Sequence, residues 1–173
     1  MIDGTLNPLV GTVEGVIDPN GISVTPVRWS SRHTNAVRSV SGTIGYWGGS
    51  LSIPGSDFSI HFPVGALYSN TKITIISDAS GYVSYDMQPH GLQFAKPVVV
   101  VQRLKNTEVY DKPVTGSLFG AYFPDEDPFA NLVNGLLSAV EIVTSSTLVN
   151  AEDQALIQTW LLNHFSRYML ASG

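Results

Sequence analysis

The chain has 173 residues, 43% of them hydrophobic and 13% charged, with nine Lys+Arg against fourteen Asp+Glu and a net charge of −5. Disorder needs the opposite balance of charge and apolarity, and an acidic chain of this size points to neither a nucleic acid nor an anionic membrane as partner. The absence of cysteine removes disulfides, thiolate metal sites and thiol nucleophiles.

Residues 1–40 read as an N-terminal extension or linker, with Gly11, Gly15, Pro19, Gly21 and Pro26 spaced among short apolar residues. Val10, Val13, Val16, Ile22 and Val24 would suit one extra edge strand. Arg28, Arg32, Arg38 and His33 sit among Ser, Thr and Asn, which fits a solvated stretch rather than a basic ligand patch. The start MIDGTLNPLVGTVEGVIDPNG carries acidic residues where a signal peptide needs positive ones. Either the domain works in the cytoplasm, or Met1 follows a removed signal. No apolar run is long enough to span a membrane.

From Ser41 the texture is short strands and turns, which places residues 41–173 in one all-β domain. GTIGYWGGSLSIP gives two strands around Gly48-Gly49. Phe58, Ile60 and Phe62 alternate with Asp57, Ser59 and His61, and Ile73 and Ile75 alternate with Lys72 and Thr74. KPVVVVQRL reads as a strand covered on both faces and opened by Pro97. SLFGAYF is another short strand. Phe129, Leu132, Val133, Leu136, Leu137 and Val140 form a helical stripe, preceded by Asp125, Glu126 and Asp127, so the spacing predicts a short helix near 129–140. Leu156, Ile157, Trp160 and Leu161 fit either a helix face or a hairpin whose turn lies at Asn150–Gln154.

The segment SGTIGYWGGSLSIPGSDFSIHFPVGALYSNTKITI resembles the opening of a ZU-five domain, the β-sandwich module of zona occludens proteins, ankyrins and netrin receptors. The shared pattern is a GG-bearing hairpin, a strand, a proline–glycine–alanine turn (here Pro63-Val64-Gly65-Ala66-Leu67) and a Thr/Ile strand. MQPHGLQFAKPVVVVQ is similar to the family's P-x-G-x-x-F-x-K-P strand entry, with Pro89, Gly91, Phe94, Lys96 and Pro97 in register. HFSRYMLASG resembles the closing strand of bacterial, exported members, which tips residues 155–170 toward strand. The resemblance implies an antiparallel β-sandwich, with the helix near 129–140 as an insertion.

His164-Phe165-Ser166 is also similar to the self-cleavage triplet of some relatives, including death-domain adaptors and inflammasome sensors. The resemblance implies attack of the Ser166 hydroxyl on the Phe165 carbonyl with His164 as base, giving an ester that water hydrolyses. Strained geometry would be needed, and a regular strand does not supply it. The competing reading makes Phe165 core and His164 and Ser166 outward polar residues.

Other constellations are weaker. His33, His61, His90 and His164 lack metal-ligand spacing, and the run Asp125–Asp127 lacks a calcium-loop pattern, so no metal or cofactor is expected. Ser166 has no G-x-S-x-G elbow around it. Tyr46, Trp47 and Tyr82 are candidates for an aromatic platform under a sugar ring. The sequence therefore points to a non-catalytic interaction or structural module of an exported or cell-envelope protein, partnered by another protein or an envelope component. Self-processing between Phe165 and Ser166, and carbohydrate binding, are the two alternatives.

Overall fold

The structure, a computed structural model, describes residues 16–30, 36–110, 118–123, 129, 132–143, 145–149 and 156–172. Among these residues there are twelve strands and no α-helix. They are β1 (Val16–Pro26), β2 (Arg38–Ile44), β3 (Gly49–Ile53), β4 (Phe58–Phe62), β5 (Thr71–Ser77), β6 (Ser84–Gln88), β7 (Gln93–Arg103), β8 (Leu118–Phe123), β9 (Leu137–Val143), β10 (Ser145–Val149), β11 (Leu156–His164) and β12 (Arg167–Ser172). The fold is all-β, in two antiparallel sheets. Seven strands run in the order β1-β9-β8-β12-β6-β5-β2 and five in the order β10-β11-β7-β4-β3.

Strand alternation sets the core. In β4 the side chains of Phe58, Ile60 and Phe62 are buried while His61 is exposed, and in β5 Ile73 and Ile75 are buried while Lys72 is exposed. One hydrophobic cluster takes residues from both sheets, with Phe62, Val100, Trp160 and Leu162 from the smaller and Ile75, Tyr85, Tyr168 and Leu170 from the larger. Phe58 of β4 meets Tyr85 of β6 at 4.2 Å between ring centroids. β7 departs from its expectation. Val98 and Val100 are buried but Val99 and Val101 only partly so, and Pro97 lies inside the strand. A proline is tolerated there because the β11–β7 register shifts between Leu162 and His164.

The N-terminal segment joins the larger sheet. β1 pairs with β9 along most of its length and with β12 through Thr25 and Pro26. Together with the β9–β8 and β8–β12 pairings this closes β1, β9, β8 and β12 into a ring. Inside it a second cluster holds Val24, Phe123, Leu137, Met169 and three alanines, Ala121, Ala139 and Ala171. Small side chains suit the narrow interior of so few strands.

The helix expected near 129–140 is not formed. Asn134 and Gly135 take φ values of +53° and +77°, and Val133 and Leu136 bridge across them before the chain enters β9. Two consecutive positive φ angles are the requirement of a tight hairpin turn, which Asn-Gly meets better than other pairs. The acidic run Asp125–Asp127 and His33 fall outside the described residues. The hairpin reading of the C-terminal third holds: β10 pairs with β11 from Ser145↔Trp160 to Val149↔Leu156.

Candidate functional site

The Phe165-Ser166 peptide is where the chain changes sheets. β11 belongs to the five-stranded sheet and ends at His164, whereas β12 belongs to the seven-stranded sheet and begins at Arg167. The crossing is tied down by backbone hydrogen bonds. The Phe165 N–H donates to the Leu92 carbonyl at 2.8 Å, Gly91 N–H donates to the Phe165 carbonyl at 3.0 Å, and Met87 N–H donates to the Ser166 carbonyl at 3.0 Å. Gly91 is free to present its N–H because it holds φ at +79°, a region open to glycine. The Phe165 ring is buried in edge-on contact with Phe94 and Phe62, at 4.9 and 6.1 Å. It is a core residue. Ser166, expected to face outward, is also buried, because the crossing leaves no outer face at this position.

His164 turns away from the serine. Glu141, Tyr122 and Tyr168 stand directly opposite one another on β9, β8 and β12, so they share one face of the larger sheet. His164 Nε2 lies 3.3 Å from Glu141 Oε2, and the Tyr168 hydroxyl lies 3.3 Å from His164 Nδ1. The Tyr122 ring meets the imidazole edge-on at 5.1 Å. Among the described residues no hydrogen bond joins His164 to Ser166. Burial pushes the Tyr168 phenol well above its ordinary range, with the Glu141 carboxylate and Tyr122 adding to the shift. The cluster therefore holds a neutral phenol, an imidazole and a carboxylate, an arrangement that joins the two sheets.

A second polar cluster lies on the other face of β12 and β6. Arg167 Nη1 donates to Asp78 Oδ2 at 3.0 Å, and Asp86 accepts from Gln88 Nε2 at 2.9 Å and from the His90 ring. Burial raises the Asp86 carboxyl, but the hydrogen bonds from His90 and Gln88 and the nearby Arg167 outweigh it and hold Asp86 below its ordinary value. In the interior, the Tyr85 hydroxyl donates to Gln102 Oε1, while Gln102 Nε2 donates to the Ser56 carbonyl at 2.9 Å. Burial raises the Tyr85 phenol well above its usual range, with Asp57 adding to the effect. No group of three or more His, Asp or Glu able to hold a metal ion occurs among the described residues.

The aromatic residues separate. Tyr46 and Trp47 sit on the β2–β3 turn, Trp47 80% exposed and Tyr46 46%. Their rings are 5.3 Å apart at 84°, so they make a corner rather than a flat platform. Tyr82 lies elsewhere: it precedes β6, stacks on Phe129 at 4.7 Å, and carries the Arg28 guanidinium over its ring at 5.0 Å. Ile44 pairs with Thr71 at one end of β5, whereas Tyr82 follows the other end, about 20 Å along the strand. The exposed neighbour that sequence reasoning missed is Tyr68, 81% exposed on the β4–β5 loop. That loop is fixed to the turn, since Gly65 N–H donates to the Tyr46 carbonyl at 2.8 Å. The packing is close enough that a Cβ on Gly48 would stand 2.1 Å from the Phe62 carbonyl oxygen.

Compared with known proteins, the chain matches no family model and shows no significant similarity to a curated protein.

Proposed function

We propose that the two sheets form a ZU-five-like β-sandwich and that the domain is a non-catalytic interaction or structural module of an exported or cell-envelope bacterial protein. The sandwich reading is supported by the single cluster drawn from both sheets. Gly65 and Gly91 adopt φ of +81° and +79° in their turns and Phe94 packs against Phe62 and Phe165, which supports the reading, whereas Pro97 lies inside β7 rather than at its start. The observation that carries the interaction reading is the exposure of Tyr46, Trp47 and Tyr68 on two loops bonded to each other, in a fold whose other two tryptophans are buried. Exposed aromatic residues gathered in one place mark contact surfaces.

Fractionation of cells producing the protein with its native flanking sequence tests this reading. The wild type should be found in the envelope or exported fraction, and Tyr46→Ser/Trp47→Ser/Tyr68→Ser should lose envelope retention while melting at the same temperature. A cytoplasmic wild type overturns the exported assignment, and unchanged retention of the triple variant overturns the contact surface.

A second reading, cleavage between Phe165 and Ser166, draws on one observation. The carbonyl that would be attacked already accepts a backbone N–H from Gly91, where a donor would stabilise a developing oxyanion. The engagement of His164 with Glu141 and Tyr168 weighs against it.

A further inference from the structure

The net charge of −5 conceals a local reversal at the aromatic end of the molecule. Three segments meet there: residues 44–50, from the end of β2 into β3, residues 61–72, from the end of β4 into β5, and residues 94–97 near the start of β7. Gly65 N–H bonds the second to the first, and Ala95 N–H donates to the Ala66 carbonyl at 2.9 Å, bonding the third to the second. None of the three contains an aspartate or glutamate, while they carry Lys72, Lys96 and His61. Both lysines are exposed, and Lys96 reaches over the β4–β5 turn, with its Nζ 3.3 Å from where a Cβ of Gly65 would be. Val64, 44% exposed, adds an apolar side chain to the same loop as Tyr68.

We infer that this end is a docking surface for anionic lipid headgroups, with Trp47, Tyr68 and Val64 entering the bilayer interface and Lys72 and Lys96 pairing with phosphate. The inference rests on the proposed contact surface and names its partner. Tryptophan and tyrosine suit the boundary region of a bilayer, where one part of the ring meets hydrocarbon and the polar atom stays wet. Lysine stems lie along apolar surface while the ammonium reaches phosphate. The perpendicular Tyr46–Trp47 pair shares no common plane for a sugar ring, and these segments have no carboxylate to grip sugar hydroxyls. An otherwise acidic chain would be oriented by this cationic end toward a negative surface.

The three tryptophans make the test direct, because Trp29 and Trp160 are buried and Trp47 is exposed. The whole chain is mixed with vesicles of phosphatidylcholine and phosphatidylglycerol in equal parts, and with vesicles of phosphatidylcholine alone. Co-sedimentation with the mixed vesicles, a blue shift of the emission and protection of Trp47 from aqueous quenchers are expected, all weakening with added salt. Trp47→Ala/Tyr68→Ala should reduce binding at least tenfold. Lys72→Glu/Lys96→Glu should reduce it similarly and flatten the salt dependence, with both variants keeping the wild-type melting temperature. Absence of binding to the mixed vesicles overturns the inference, as does binding that neither variant changes. If vesicles fail while the Tyr46/Trp47/Tyr68 variant still loses envelope retention, the lipid assignment falls and the contact surface stands. If neither assay responds, both fall.

Discussion

Gly120 of β8 lies directly beneath the indole of Trp160 of β11, so that a Cβ added to the glycine would stand 3.0 Å from Nε1 and 3.2 Å from Cδ1. Trp160 is among the largest fully buried side chains, and a packed indole cannot move aside without disturbing the cluster that both sheets share. Gly120→Ala should therefore destabilise the domain by about 1–3 kcal/mol, the usual range for an overpacked core. Denaturant unfolding followed by tryptophan fluorescence measures it. Gly91→Ala meets nothing within 4 Å and is strained only through its φ of +79°, so it should cost about 1–2 kcal/mol by a separate mechanism.

The Asn134-Gly135 turn should be sensitive to any residue that disfavours positive φ. Gly135→Ala places a methyl in open space but at φ +77°, and about 1 kcal/mol of stability should be lost. If the helical stripe were the real organiser of this segment, the same substitution would stabilise it and add helical signal to the circular dichroism spectrum.

Acid should act through Asp86. A carboxyl held below its ordinary value in the folded state contributes stability that is present above about pH 3.9, the unfolded value, and is lost as the pH falls through the folded one. Asp86→Asn should lower the melting temperature at pH 7, with the gap to the wild type closing as the pH drops below about 4.

Alkali should act through Tyr85 and Tyr168. Both phenols are raised in the folded state, so the stability they contribute is complete below about pH 10 and is lost as the pH rises beyond it. In a titration followed at the tyrosinate absorbance band, these two should ionise only together with loss of the near-ultraviolet circular dichroism signal. Tyr168→Phe, which removes one phenol from the unfolded state, should unfold at higher pH than the wild type.

Intact mass under denaturing conditions decides the fate of the Phe165–Ser166 bond. One full-length mass is expected, since His164 is engaged by Glu141 and Tyr168 rather than by Ser166. Denaturing conditions are needed because a severed β12 would stay paired with β8 and β6. A mass lacking residues 166–173 in the wild type but not in Ser166→Ala would show that the peptide is processed.

Period-two alternation made β4 and β5 legible, because burial on one face leaves a direct mark on residue order: Phe58, Ile60 and Phe62 fall inward as the pattern requires. The stripe at 129–140 misled because its apolar residues serve two environments. Val133 and Leu136 flank an exposed turn, and Leu137 belongs to a strand in the smaller core. The Asn134-Gly135 pair carried the correct signal, and the helical periodicity masked it. The triplet at His164–Ser166 named the place where the sheets connect but not the direction of the imidazole. Glu141 is 23 residues away and meets it only through the β9–β8–β12 pairings. Tyr68 was invisible for a related reason, since one tyrosine in a loop has no period, and what ties its loop to the Tyr46-Trp47 turn is a backbone bond from Gly65 to Tyr46.

The position of β12 governs how the protein can be made. It is the last strand of the described residues, yet it lies between β8 and β6 and also receives the end of β1. While a ribosome still withholds that strand, β8 is paired only with β9 and β6 only with β5, and the ring around Ala121, Ala139 and Ala171 cannot shut. Such long-range closure is slow, and it waits on β12 whatever the other strands have already formed. The order in which the two sheets can finish is thereby set by topology: the five-stranded sheet needs no residue of β12, and the seven-stranded sheet does.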